Sequence, residues 1–167
     1  IAKAGQGLRW FQSTGYTQLI NEINKTKGSK PIAVVFNLGI NDMANISNYI
    51  SYMSDIASTL KSKNCKLFYM SVNPINSVMI TKAGKGARTE AQVREFNSKI
   101  RSGLSLNYKY IDTYSVLMKK GYGTNSSYSG TDAASDDGLH YTTKTFKRIY
   151  YYCITYLNTG SIDASIY

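Results

Sequence analysis

Histidine, cysteine and arginine are the scarce residues of this chain. His140 is the only histidine among 167 residues, so any imidazole chemistry must use that one ring. Cys65 and Cys153 are the only cysteines. Two are too few for a disulfide scaffold, and free buried thiols are expected. One histidine and two distant cysteines form no ligand cluster, so no metal is expected, and no other cofactor is called for. No run approaches the ~20 apolar residues of a membrane-spanning helix. The chain opens at Ile1 without Met or a signal peptide, and any targeting segment is expected to have been removed or left out. Only five arginines contribute to a net charge of +10, and the longest basic cluster is Lys119-Lys120. With no binding motif beside the charge, nucleic acid is not the expected partner. Solubility, or contact with an anionic polymer, accounts for it. No Gly-rich phosphate loop opens a helix, which ranks a nucleotide-binding domain last.

What the chain does contain is a core. Hydrophobic residues make up 43% of it. Its length suits one domain, placed at residues 1–157 with a tail at 158–167. Fifteen tyrosines, with many Ser, Asn and Thr, fit a secreted or cell-surface bacterial protein. Residues 1–4 read as the end of a strand broken by Gly5-Gln6-Gly7, with Trp10 and Phe11 as apolar anchors beyond. A helix is predicted over 16–27, stopped by Gly28. Residues 31–38 form a continuous apolar run, predicted as a strand buried on both faces and ending in Gly39-Ile40-Asn41-Asp42. A helix over 45–63 carries the stripe Ile46, Tyr49, Ile50, Met53, Ile56, Ala57 and Leu60. Residues 65–72 form a second buried strand that ends at Asn73-Pro74, and a mobile loop is expected from there to 87. Thr89 and Gln92 have capping-box spacing for a third helix, with Val93, Phe96, Ile100 and Leu104 inward. A short strand at 108–111, a short helix at 115–120 and a polar loop at 121–136 follow. Thr142 or Thr143 caps a last helix running to about Leu157.

Strands alternating with helices predict a three-layer α/β/α domain with a mainly parallel, flavodoxin-like sheet. In such sheets ligands sit at the carboxyl ends of the strands. The candidate residues fall there: Gly5 and Gly7, then Gly39, Asn41 and Asp42, then Asn73, then the loop of His140. Asp137 lies three residues before His140, with Gly138 between them to let the backbone turn. A carboxylate so placed can accept from one ring nitrogen and leave the other to take a proton. The same spacing also suits a purely structural pair, and Asp136 competes as the partner. Asn41 after Gly39 equally suits a plain turn.

In its motifs the chain resembles the SGNH (GDSL-type) hydrolases. Gly39-Ile40-Asn41-Asp42 is similar to that family's Gly-x-Asn-Asp block and Asp137-Gly138-Leu139-His140 to its Asp-x-x-His block, while Gly5-Gln6-Gly7 stands where its glycine block does. The resemblance implies a serine esterase or acyl hydrolase of three-layer α/β/α fold. His140 would be the general base and Asp137 its support. The Asn41 amide and the Gly7 N–H would be oxyanion donors, each worth ~3 kcal/mol in well-studied hydrolases. Asp42 would hold the Asn41 loop, and Gly5, Gly39, Asn73 and Pro74 would line the site. A small-molecule or glycan ester is the implied substrate, such as an acetyl ester of a carbohydrate or cell-wall glycan. A non-catalytic carbohydrate- or cell-wall-binding module on the same fold is the rival.

The chain departs from the family at the nucleophile, because no Gly-Asp-Ser occurs in it. That block follows the family's first, central strand. The expectation is therefore an N-terminal truncation lacking that strand, or a slot filled by another chain or segment. Ser13, Ser71 and Ser115 lack the turn that presents a nucleophile. The 167-residue chain alone is expected to be catalytically silent.

Overall fold

The computed structural model describes residues 1–26, 28–86, 88–122 and 137–165. Most of the polar loop expected at 121–136, and Asp136 with it, lies outside them. The chain groups into two compact units, Ile1–Tyr69 with Ser98–Tyr110, and Met70–Asn97 with Ile111–Tyr167.

In the first unit the chain enters helix earlier than the sequence suggests. α1 (Leu8–Trp10) runs through a π-helical turn at Phe11–Gly15 into α2 (Tyr16–Lys25). Gly15 permits the wide turn, since a Cβ there would stand 2.8 Å from the Phe11 ring and 3.0 Å from that of Trp10. The expected strand at 1–4 is absent. Those residues are exposed, make no ladder, and turn at Gly5, whose φ is +69°. β1 (Ile32–Phe36) pairs in parallel with β2 (Cys65–Met70), from Ile32 opposite Cys65 to Phe36 opposite Tyr69. β3 (Lys109–Ile111) completes a parallel sheet of order β1-β2-β3, the helix-flanked sheet of an α/β/α fold.

The central strand β2 buries every residue but Lys66. β1 does not match the expectation of burial on both faces: Val34 and Phe36 are buried, Ile32 and Val35 half-buried, and Ala33 exposed. It is the end strand of the described sheet, so less of the chain is at hand to cover its Ala33–Val35 face. α3 (Ile46–Ser62) follows a 3₁₀ turn at Met43–Asn45 and buries the central part of its stripe, with Met53 and Leu60 fully enclosed. The Tyr69 hydroxyl lies 2.6 Å from the Leu38 carbonyl and 2.9 Å from the Tyr49 hydroxyl, which fixes the chain as it leaves β1. Burial pushes both phenols above their ordinary pKa.

In the second unit the loop expected to be mobile carries a helix, α4 (Ser77–Lys82). Asn76 caps it by accepting from the Met79 N–H, and Ile80 is fully buried, so the segment is anchored at both ends. α5 (Glu90–Gly103) starts with a reciprocal capping box: Thr89 N–H donates to Gln92 Oε1, and Gln92 N–H to Thr89 Oγ1. Beyond β2, the buried Asn97 side chain accepts from Val72 N–H and donates to Val72 C=O, taking the place of a strand neighbour. α6 (Thr113–Lys119) is capped by Asp112, and α7 (Thr143–Thr159) by Thr142, whose hydroxyl accepts from Thr145 N–H. α7 continues to Thr159, and beyond it the Asp163 N–H returns to Thr155 Oγ1. Cys65 and Cys153 are free thiols, both pushed above the ordinary thiol pKa by burial.

Candidate active site

The candidates form two clusters, one in each unit. In the first, Gly39 adopts φ +120° and its carbonyl accepts from Asp42 N–H, closing a turn that presents Asn41 and Asp42. Asp42 Oδ1 accepts from Leu8 N–H at 2.9 Å, so a carboxylate sits against the first turn of the helix. Burial raises the Asp42 pKa above the usual carboxylate range, while the Leu8 N–H pulls it the other way. Its Oδ2 is buried with no hydrogen-bond partner among the described residues. Gly7 is glycine for a steric reason, because a Cβ there would lie 2.4 Å from Asp42 Oδ1. Asn41 Nδ2 donates to Gln6 C=O at 2.9 Å. Asn41 and Asp42 thus hold the Gly5–Gly7 turn through Gln6 and Leu8. Through Asp42 Oδ1 the loop after β1 is joined to the start of the helix.

In the second cluster, Asp137 Oδ2 lies 2.6 Å from His140 Nδ1. Oδ1 accepts the backbone N–H groups of Leu139 and His140, each at 2.9 Å. An ionised carboxylate only accepts, so the proton of the ring bond is on Nδ1, and Nε2 is the basic nitrogen of the neutral imidazole. The His140 side chain is 61% exposed and that of Asp137 18%. A pair this open adds little stability. The ring is oriented without serving as a brace, whereas Asp137 also shapes the turn. Gly138 is required twice over: its φ is +70°, and a Cβ would stand 2.6 Å from the Asn76 carbonyl oxygen. Its own carbonyl accepts from Asn76 N–H at 2.9 Å, and the Tyr141 hydroxyl donates to Pro74 C=O.

Asn73 accepts from Thr113 Oγ1, which also bonds the buried Ser71 hydroxyl. Pro74 is buried beneath Tyr141. Trp10 is half-buried in α1. The hydroxyls of the three serines weighed above bond elsewhere: Ser13 to Trp10 C=O, Ser71 to Thr113 and to Tyr114 N–H, and Ser115 to Asp112. Among the described residues no group of three or more His, Cys, Asp or Glu could hold a metal ion, and no helix is long and apolar enough to cross a membrane. Sequence reasoning passed over Asn76 and Glu90, which fix the segment under the Asp137–His140 turn. Glu90 was hidden inside the Thr89–Gln92 capping box, where an acid in a first helical turn looks ordinary.

The profile of the GDSL-like Lipase/Acylhydrolase family matches residues 1–152, running through both compact units. The chain belongs to this family. No curated protein matches it.

Proposed function

We propose that the protein is a serine esterase in which Asp137 and His140 form the base half of a Ser-His-Asp relay. The 2.6 Å bond from His140 Nδ1 to Asp137 Oδ2 carries the reading, because it orients the ring and makes Nε2 its basic nitrogen. His140 Nε2 takes the proton of the attacking serine hydroxyl and returns it to the leaving alcohol, while Asp137 supports the imidazolium formed in between. Asn41 and Gly7 are the proposed oxyanion donors. The substrate class we assign is an ester of a small acyl group, such as an acetylated carbohydrate or cell-wall glycan. The basic, tyrosine-rich composition suits an extracellular setting and an anionic polymer.

The nucleophile is assigned to residues outside these 167, since the sequence holds no Gly-Asp-Ser. The test is p-nitrophenyl acetate hydrolysis by the full gene product and by the 167-residue chain. The full product should be active, and His140→Ala should lower kcat/KM by about 10³-fold. The 167-residue chain should be silent. Activity indifferent to His140→Ala would sink the assignment.

A glycan-binding module is the second reading, favoured by the aromatic surface of α7. Phe146, Tyr150 and Tyr151 are exposed there beside Lys144 and Lys147. It gains ground if the full product binds an acetylated anionic glycan, salt-sensitively, without hydrolysing it.

A further inference from the structure

The Asp137–His140 turn is not self-supporting. Gly138 C=O accepts from Asn76 N–H at 2.9 Å, so the segment Pro74–Asn76 is the floor on which the turn rests. A carboxylate at the start of α5 also holds that floor. Glu90 Oε2 accepts from Ile75 N–H at 3.1 Å, one residue before the bond to Gly138. Glu90 Oε1 accepts from the Tyr114 hydroxyl. Its own N–H donates to Ser77 Oγ, on the far side of Asn76. Glu90 therefore grips both ends of the Ile75–Ser77 segment, and Tyr114 fixes the remaining carboxylate oxygen.

We propose that Glu90 is a positioning residue for the Asp137–His140 pair, acting through Ile75, Asn76 and Gly138. The catalytic importance of that pair rests on the function proposed above, but the mechanical link does not. Burial pushes the Glu90 pKa above the usual carboxylate range, against the pull of Tyr114, Ile75 N–H and Arg94. Its ionised form thus costs folding stability, and what it contributes is the place of the segment it holds. An apolar side chain of similar size would pack without that cost, but would leave Ile75 N–H without its acceptor and let the floor shift.

His140 is the only imidazole in the chain, so its ring can be followed by ¹⁵N NMR in the 167-residue protein without any catalytic assay. In alkaline buffer the wild-type ring should hold mainly the Nδ1–H tautomer imposed by Asp137. Glu90→Leu should raise the share of the Nε2–H tautomer, and should speed exchange of the Asn76 amide by about tenfold. Glu90→Gln, whose amide oxygen can still accept from Ile75 N–H, should restore both. Val93→Ala, a core truncation one turn further along α5, should destabilise the protein and leave the tautomer unchanged. If a folded Glu90→Leu protein keeps the wild-type tautomer and Asn76 exchange, or if Val93→Ala reproduces the changes, the link is refuted. Should Glu90→Leu fail to fold, Tyr114→Phe takes its place. That variant should give a smaller shift in the same direction, and no shift would refute the link. Loss of the esterase reading would leave these outcomes untouched, so the two ideas fail separately.

Discussion

Asp42 and Asp137 are both carboxylates that organise a glycine-containing turn, and they do it in opposite ways. Asp137 spends both oxygens: one on two backbone N–H groups of its own turn, the other on His140. Asp42 spends one oxygen on a residue 34 positions away and buries the other without a partner among the described residues. The first arrangement is local, and it orients a ring at the surface. The second is long-range, and it ties the glycine turn to the loop after β1. A satisfied carboxylate can therefore orient a neighbouring ring, while a half-satisfied buried one is a clamp that carries a cost.

The comparison can be broken first at its glycines. Gly138→Ala forces a side chain into a left-handed conformation and against the Asn76 backbone, neither of which can easily give way. A loss of about 3 kcal/mol is expected by urea denaturation. Gly7→Ala should cost less, about 1–2 kcal/mol, since its φ of −136° is ordinary and the clash is with a side chain. The Asp42 carboxylate would swing aside and release Leu8 N–H. Equal costs at the two positions would mean that the Asn76 backbone yields as readily as a side chain.

The smallest effect is on pH dependence. With its pKa raised by burial, Asp42 binds more protons folded than unfolded across the window from ~pH 4 up to its raised value. Its contribution to stability is greatest below that window and declines as pH rises through it. Asp42→Asn should flatten that part of the curve of urea midpoint against pH. A wild-type curve that the substitution leaves unchanged would show that Asp42 is better solvated than its burial implies.

Much of the fold was legible because one periodicity dominated each segment. The inward residues of α5, Val93, Phe96, Ile100 and Leu104, are all buried. The Thr89–Gln92 box and the Thr142 cap also form the bonds their spacing suggests. The early start of the first helix was not legible, because α1 and its π turn break the 3.6-residue repeat that a helical pattern relies on. α4 was hidden by its brevity and by neighbouring glycines and proline. At the site, the Asp137–His140 spacing was visible because both partners lie in one turn. The supports of that turn were not, because Asn76 meets it through its backbone and Glu90 reaches it only by way of the Ile75 N–H, and backbone partners leave no mark in a side-chain pattern.

The π turn at Phe11–Gly15 has a consequence for aim. Tyr16 N–H reaches back five residues to Phe11 C=O, so the turn holds one residue more than an α-helical turn. Each residue of an α-helix advances about 100° around the axis. The surplus residue therefore offsets the rotational phase of Leu8 and Phe11 against Ile23 in α2. The side on which the first turn buries Leu8, directly after the glycine turn, is thus decided in a stretch that holds none of the candidate site residues.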